Sequence, residues 1–262
     1  MESFKQFLPG IIILILFALL CTQIESKNEQ ISHVTKFDNL YEASNTPYPL
    51  QNFIYLDTFM EISNQAGEEA GQTVNAASGI AVKNKDDKVY AFTAGHWCGV
   101  DITDIEAASA IINLMYPEIT IKFHKRVAFY GKFYSIEEMF IDEKNDLCVI
   151  TFTSPYANRI KNIKPARKDP EIGEKLYTIS SPLGIFNHEI KLIFDGYFSG
   201  CRPQNNQCFY TIPGVQGSSG SGVLNRRGDL VSVLGVSVID FYEVTGGSNL
   251  ESVREMYDTH IR

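Results

Sequence analysis

The chain has 262 residues, 44% of them hydrophobic, and carries 23 Lys and Arg against 31 Asp and Glu, a formal net charge of −8. That length supports a sizeable buried core, as one large all-β domain or two small domains. No run of basic residues interleaves with aromatics, so so acidic a chain would repel a phosphate backbone and nucleic acid is not an expected partner.

At the N-terminus Lys5 precedes an uninterrupted apolar run from Ile11 to Leu20, and Thr22 and Gln23 open a polar stretch. A short apolar run behind a basic residue reads as an export segment, here residues 1–25. It is shorter than the roughly 20 residues that cross a bilayer, yet no small-x-small cleavage site follows it. Two readings therefore stand: a cleaved signal peptide, or an uncleaved membrane anchor through residues 7–24. Either makes the protein secreted or extracytoplasmic. Residues 26–74, polar and irregular with Pro47 and Pro49, read as a leader or stalk, and 75–262 as the folded domain.

From Ser78 onward, short strand-like runs alternate with Gly, Asn and Asp turns: 78–82, 89–93, 119–123, 127–133 and 147–152, then 175–179, 191–194, 207–212, 222–224 and 230–238. Such spacing predicts an all-β sandwich or barrel. Two helices interrupt it. The capping box Thr103-Asp104-Ile105-Glu106 opens one over 107–115, and Ser248-Asn249-Leu250-Glu251 opens a C-terminal one running to about Tyr257.

Beyond Cys21, the four cysteines Cys98, Cys148, Cys201 and Cys208 can pair in three ways in an oxidising compartment. Cys201 and Cys208 enclose a turn-rich hexapeptide between extended segments and are expected to bond, stabilising by about 2.5 kcal/mol through loop closure. For Cys98 and Cys148, a bond and two buried thiols both stay open. No C-x-x-C pair and no nearby His builds a zinc motif, so no metal and no cofactor is expected.

Three segments carry the parts that a hydroxyl nucleophile needs: a base to take its proton, a carboxylate to orient the base, and donors for the oxyanion. His96 closes Thr93-Ala94-Gly95-His96 at the end of a strand. Asp146 precedes the apolar run Leu147-Cys148-Val149-Ile150. Ser219 lies in Gly217-Ser218-Ser219-Gly220-Ser221-Gly222, where it alone has glycine two residues before and one after. Glycine there lets consecutive backbone N–H groups converge on one point. Each segment by itself reads more plainly as a surface histidine, a turn carboxylate or a flexible loop. Ser218, Ser221 and Asp142 are the weaker alternatives, and His33, His124, His188 and His260 read as surface residues.

In that order, Thr-Ala-Gly-His, Asp-Leu-Cys-Val-Ile and Gly-Ser-Ser-Gly-Ser-Gly resemble the trypsin/chymotrypsin-like serine proteases. The chain order itself discriminates, because other serine hydrolases arrange these residues differently. Residues 172–184, 195–200 and 225–231 are similar to bacterial, viral and phage members, so the resemblance covers about 75–260. It implies an all-β fold of two antiparallel six-stranded β-barrels, about 75–160 and 170–262, with a C-terminal helix. It implies a serine endopeptidase that hydrolyses protein or peptide substrates through an acyl-enzyme, with His96, Asp146 and Ser219 as triad. Gly217 and Ser219 would donate the oxyanion-hole N–H groups. Pro213 would floor the primary substrate pocket, with Gly235, Val236 and Ser237 as its wall. The alternative is a catalytically silent, protease-like peptide-binding domain.

The sequence departs from digestive members in two places. Ser218 stands where they carry an Asp before the nucleophile, and no Arg-Ile-Val-Gly-Gly-like start precedes Gly79, so the loop is expected to form without an N-terminal ion pair. No acidic residue lies between Phe209 and Ser218, and no His between Val231 and Val238, which favours an uncharged side chain in the pocket.

Overall fold

The structure, a computed structural model, describes residues 48–65, 69–99, 110, 113–185, 190–202, 204, 206–238 and 241–262. The export segment, the leader up to residue 47, and the capping box of the first expected helix lie outside the described residues. Of that helix, 110 and 113–115 are described and helical. Among the described residues no helix is long and apolar enough to cross a membrane.

The first body is one antiparallel sheet of β1 (Phe53–Asn64), β2 (Glu69–Lys85), β3 (Lys88–Ala94), β4 (Ile119–Phe129), β5 (Lys132–Ser135), β6 (Glu138–Asp142) and β7 (Leu147–Thr153), in the order β5-β4-β1-β2-β3-β7-β6. A five-residue helix, α1 (Gly95–Gly99), follows β3. Asp86 and Asp87 turn β2 into β3, and Tyr130 and Gly131 turn β4 into β5, all with positive φ. Paired positive φ values suit the right-handed twist of a tight hairpin.

Residues 53–64 and 69–74, read from the sequence as leader, belong instead to this sheet. β1 pairs with both β2 and β4. Its opening run Phe53-Ile54-Tyr55-Leu56 is buried on both faces, Ile54 and Leu56 inside the sheet, Phe53 and Tyr55 against Ala128 and Ile179. A strand covered on both sides reads as a continuous apolar run rather than an alternation, which hides it from a period-two search. Just ahead of it the buried Asn52 amide donates to the carbonyls of Ala81 and Lys161, both at 2.6 Å.

Where a six-stranded first barrel is expected, the structure has a seven-stranded sheet whose ladder is open between β5 and β6. Yet only Ile136 and Glu137 join those two edge strands, a link that spans at most about 10 Å. The sheet must therefore roll until its edges nearly meet.

The second body closes as expected. β8 (Lys175–Ser180), β9 (Leu192–Arg202), β10 (Gln207–Tyr210), β11 (Gly222–Leu224), β12 (Leu230–Val238) and β13 (Phe241–Ser248) form a six-stranded barrel in the order β10-β13-β12-β11-β8-β9. Helix α2 (Leu250–His260) ends the chain. Its cap is Asn249, which accepts from the Ser252 N–H at 2.8 Å, and not Ser248, whose hydroxyl accepts from Val233 N–H as the last residue of β13. Val253 and Met256 of α2 close a core shared by Ile80, Phe92 and Leu147 of the sheet and by Tyr177, Leu224 and Val233 of the barrel. The two bodies thus pack as one unit, and the loops at their seam are held from both sides.

Candidate active site

His96 is the second residue of α1, and its position is fixed from below. A Cβ on Gly95 would lie 2.8 Å from Leu147 N and 2.9 Å from Asp146 C, so only glycine lets the end of β3 rest against Asp146. There the His96 backbone N–H donates to Asp146 Oδ1 at 2.7 Å, and ring Nδ1 lies 3.0 Å from Oδ1 and 2.9 Å from Oδ2. Asp146 itself is left-handed (φ 51°) and follows a 3-10 turn capped by Asp142. That turn occupies the competing carboxylate: Asp142 accepts from the backbone and side-chain N–H groups of Asn145.

Two further contacts hold His96 to Asp146. Cys98 and Cys148 are disulfide-bonded, two residues after His96 and Asp146 respectively, so the bond staples α1 onto β7. The buried Lys125 Nζ donates to the carbonyls of Trp97 and Cys98 at 2.9 and 2.7 Å, satisfying the C-terminal end of a helix too short to satisfy itself. The hydrogen bond from Asp146 raises the pKa of the half-exposed His96 ring above its ordinary 6.5, against the opposing effect of burial.

The serine loop is seated by its glycines. Gly220 (φ 87°) lodges where any Cβ would strike the Ser78 carbonyl and the Thr93 hydroxyl, and its N–H donates to Leu234 O at 2.6 Å. Ser219 O accepts from the Ser78 N–H at 2.8 Å. The loop thus lies on β2 and β3, beside the strand end that continues into His96. Ser219 Oγ donates to Gly235 O at 3.4 Å rather than to the His96 ring. Gly235 in turn has no room for a Cβ against the Asp146 carboxylate. His96, Asp146 and Ser219 therefore gather at one mouth on the seam, with Gly235 between carboxylate and serine. The other two serines point elsewhere: Ser218 is buried with its Oγ accepting from Val215 N–H, and Ser221 is fully buried.

Two amides of this loop are oriented through their carbonyl partners. Leu183 N–H donates to Gln216 O at 2.6 Å, and Ser221 N–H donates to Ser218 O at 3.2 Å. In a trans peptide the N–H opposes the C=O, so the N–H groups of Gly217 and Ser219 face away from those donors. Neither has a protein acceptor among the described residues. Buried Ser78 fixes the peptide between them. Its hydroxyl donates to Gly217 O at 2.7 Å and accepts from Ser181 N–H at 2.9 Å. A Cβ at Gly217 (φ 91°) would sit 2.5 Å from Ser181 O, which leaves glycine as the only residue that fits.

Of the expected pocket residues, Pro213 is half-buried, and the next residue, Gly214, packs against Thr245 of β13. Gly235, Val236 and Ser237 lie on β12, where Ser237 pairs with Thr245. Sequence reasoning missed Ser78, Ser181 and Lys125. A lone serine or lysine in an apolar strand carries no periodic or spacing signal. Cys201 and Cys208 are bonded across β9 and β10, as expected. His124 faces Glu61 on the surface and His260 stacks on Phe140, while His33 and His188 lie outside the described residues. Among the described residues no three His, Cys, Asp or Glu are arranged to hold a metal ion.

The crystal structure of a serine endoprotease from Yersinia pestis matches this fold with a TM-score of 0.53 at 16% identity, over 76% of this chain and 61% of that one. A protease from M. tuberculosis in its active form matches with a TM-score of 0.53 at 12% identity, over 80% of this chain and 81% of that one. At these identities the likeness is one of fold, and the chain spans about 61% of the Yersinia pestis protein. No curated protein matches the sequence. Residues 77–233, more than half of the chain, match the trypsin-like peptidase domain, and the protein belongs to that family.

Proposed function

We propose that the protein is a serine endopeptidase in which His96, Asp146 and Ser219 form the triad and the N–H groups of Gly217 and Ser219 form the oxyanion hole. The observation that carries this reading is the pair of oriented, unengaged N–H groups flanking a half-buried serine hydroxyl, beside a histidine already bonded to its carboxylate. The weak 3.4 Å bond to Gly235 O is released as Ser219 Oγ turns to the His96 ring, which takes its proton as Oγ attacks the scissile carbonyl. Asp146 stabilises the imidazolium, and the Gly217 and Ser219 amides receive the oxyanion. His96 then protonates the leaving amine, and water releases the acyl group by the same steps reversed. Pro213 and the strand from Gly235 to Ser237 border the pocket for the residue before the cleaved bond. A fluorophosphonate probe tests the reading: one adduct on Ser219 by mass spectrometry is expected. Intact protein without label points to the silent peptide-binding reading.

The first sheet with its rolled edges is read as the open form of the first barrel, and residues 1–25 as the export segment. Two disulfides support an oxidising, extracytoplasmic setting.

Because the base is neutral His96, kcat/KM should rise with pH through a midpoint above 6.5, the direction in which Asp146 moves its pKa. Stability has the opposite slope. A raised folded-state pKa contributes stability that is fully present below 6.5 and fades as pH passes the raised value. A rate independent of pH between about 5 and 8 would exclude His96 as the base.

Reducing the Cys98–Cys148 bond should lower activity before it unfolds the chain, because α1 then holds His96 by Lys125 and hydrogen bonds alone. By chain entropy the closed loop contributes about 4 kcal/mol. The check is thermal unfolding and kcat of Cys98→Ser/Cys148→Ser beside the parent. A double variant with both values unchanged removes the stapling role.

A further inference from the structure

The inter-body connector, the turn before β12 and helix α2 enclose a groove of about 1010 Å³ that shares no residue with the site at Ser219. Seven cationic side chains line it against two carboxylates, in a chain whose formal net charge is −8. Both carboxylates are already matched: Asp229 by Arg227 at 2.9 Å and Asp258 by Arg262 at 3.2 Å. Arg254 spends Nε and Nη2 on Ala166 O, and Lys83 donates to the main-chain oxygens of Ile261 and Arg262. The charged side-chain groups of Lys164, Arg167 and Lys168, all exposed, have no hydrogen-bond or ion-pair partner among the described residues. Like charges held in a concave wall focus their field into the groove, and a bound anion relieves their mutual repulsion.

We propose that this groove docks an acidic polypeptide segment, and that it recruits protein substrates bearing one; the recruitment rests on the peptidase reading, the docking does not. A single phosphate needs converging, buried donors, whereas these cations are exposed and spread along the groove. Spread charge suits an extended chain with several carboxylates. Pro165 and Tyr257, both partly exposed, add apolar surface for its methylene groups. From Asp229, just ahead of β12, to Gly235 at the serine the chain covers about 20 Å. An extended substrate bridges that span with about six residues, so the acidic segment lies six or more residues from the cleaved bond.

The test uses Ser219→Ala protein and a fluorescein-labelled twelve-residue glutamate–glycine repeat peptide. Saturable binding is expected, weakened about tenfold in Lys164→Ala/Arg167→Ala/Lys168→Ala and lost as salt rises from 0.1 to 1 M, where the Debye length falls to about 3 Å. With Ser219 intact, the triple variant should lose kcat/KM on a protein substrate carrying an acidic tail and keep it on a short neutral peptide. Equal peptide affinity in the triple variant, or a heparin hexasaccharide that binds while the glutamate peptide does not, overturns the proposal. If neither substrate is cleaved by the parent, the peptidase reading falls, and the binding arm still decides the groove.

Discussion

Ser219→Ala should lower turnover of a denatured protein substrate by about 10⁶, because members of such a triad act as a unit and not additively. The fold should be unaffected. The lost hydroxyl makes only the 3.4 Å bond to Gly235 O, and the loop is seated by the Gly220 and Ser78 backbone contacts, which alanine leaves in place. Adding His96→Ala to that variant should cost little more, since a base without its nucleophile has no proton to take. The remaining rate would come from the Gly217 and Ser219 amides and from substrate binding. Burst kinetics and probe labelling on residues 26–262 of each variant check this. If Ser219→Ala still cleaves and labels while Ser218→Ala or Ser221→Ala does not, the nucleophile is misassigned. If all three match the parent, the chemistry is not that of a serine nucleophile.

The parts of the site that could be read from the sequence are those whose chemistry forces a local pattern. Gly217 and Gly220 are legible because their positive φ and tight seats admit nothing else, and they mark the loop around Ser219. His96 and Asp146 are legible because each adjoins an apolar strand, β3 and β7, which pair directly. β1 was hidden by burial on both faces. β13 was hidden by its Thr245-Gly246-Gly247-Ser248 end, which looks like a turn but lies flat because Gly247 runs against the Val233 carbonyl. Ser78 and Ser181 were invisible for a different reason. Their role lies in a long-range contact across 103 residues, and no local pattern records which buried serine meets which carbonyl. The Cys98–Cys148 pairing belongs to the same kind, since strand register sets it and spacing does not.

Asp146→Asn separates orientation from charge. In the parent, one carboxylate receives both the His96 backbone N–H and ring Nδ1, so it fixes α1 and the imidazole together. Asparagine keeps an oxygen for the backbone N–H, and it tolerates the left-handed φ of 51° at this position better than most residues. Its remaining group is an NH₂ donor, which can face Nδ1 only when Nδ1 is an acceptor. The ring then carries its proton on Nε2, toward Ser219, and cannot accept another without becoming an unsupported cation. Turnover should fall by about 10⁴. Thermal stability should change little, and the His96 midpoint, followed by NMR, should drop from its raised value toward 6.5 as the hydrogen bond that raised it is lost. A loss of activity below tenfold, or a midpoint that does not move, would show that Asp146 neither orients His96 nor supports its charge.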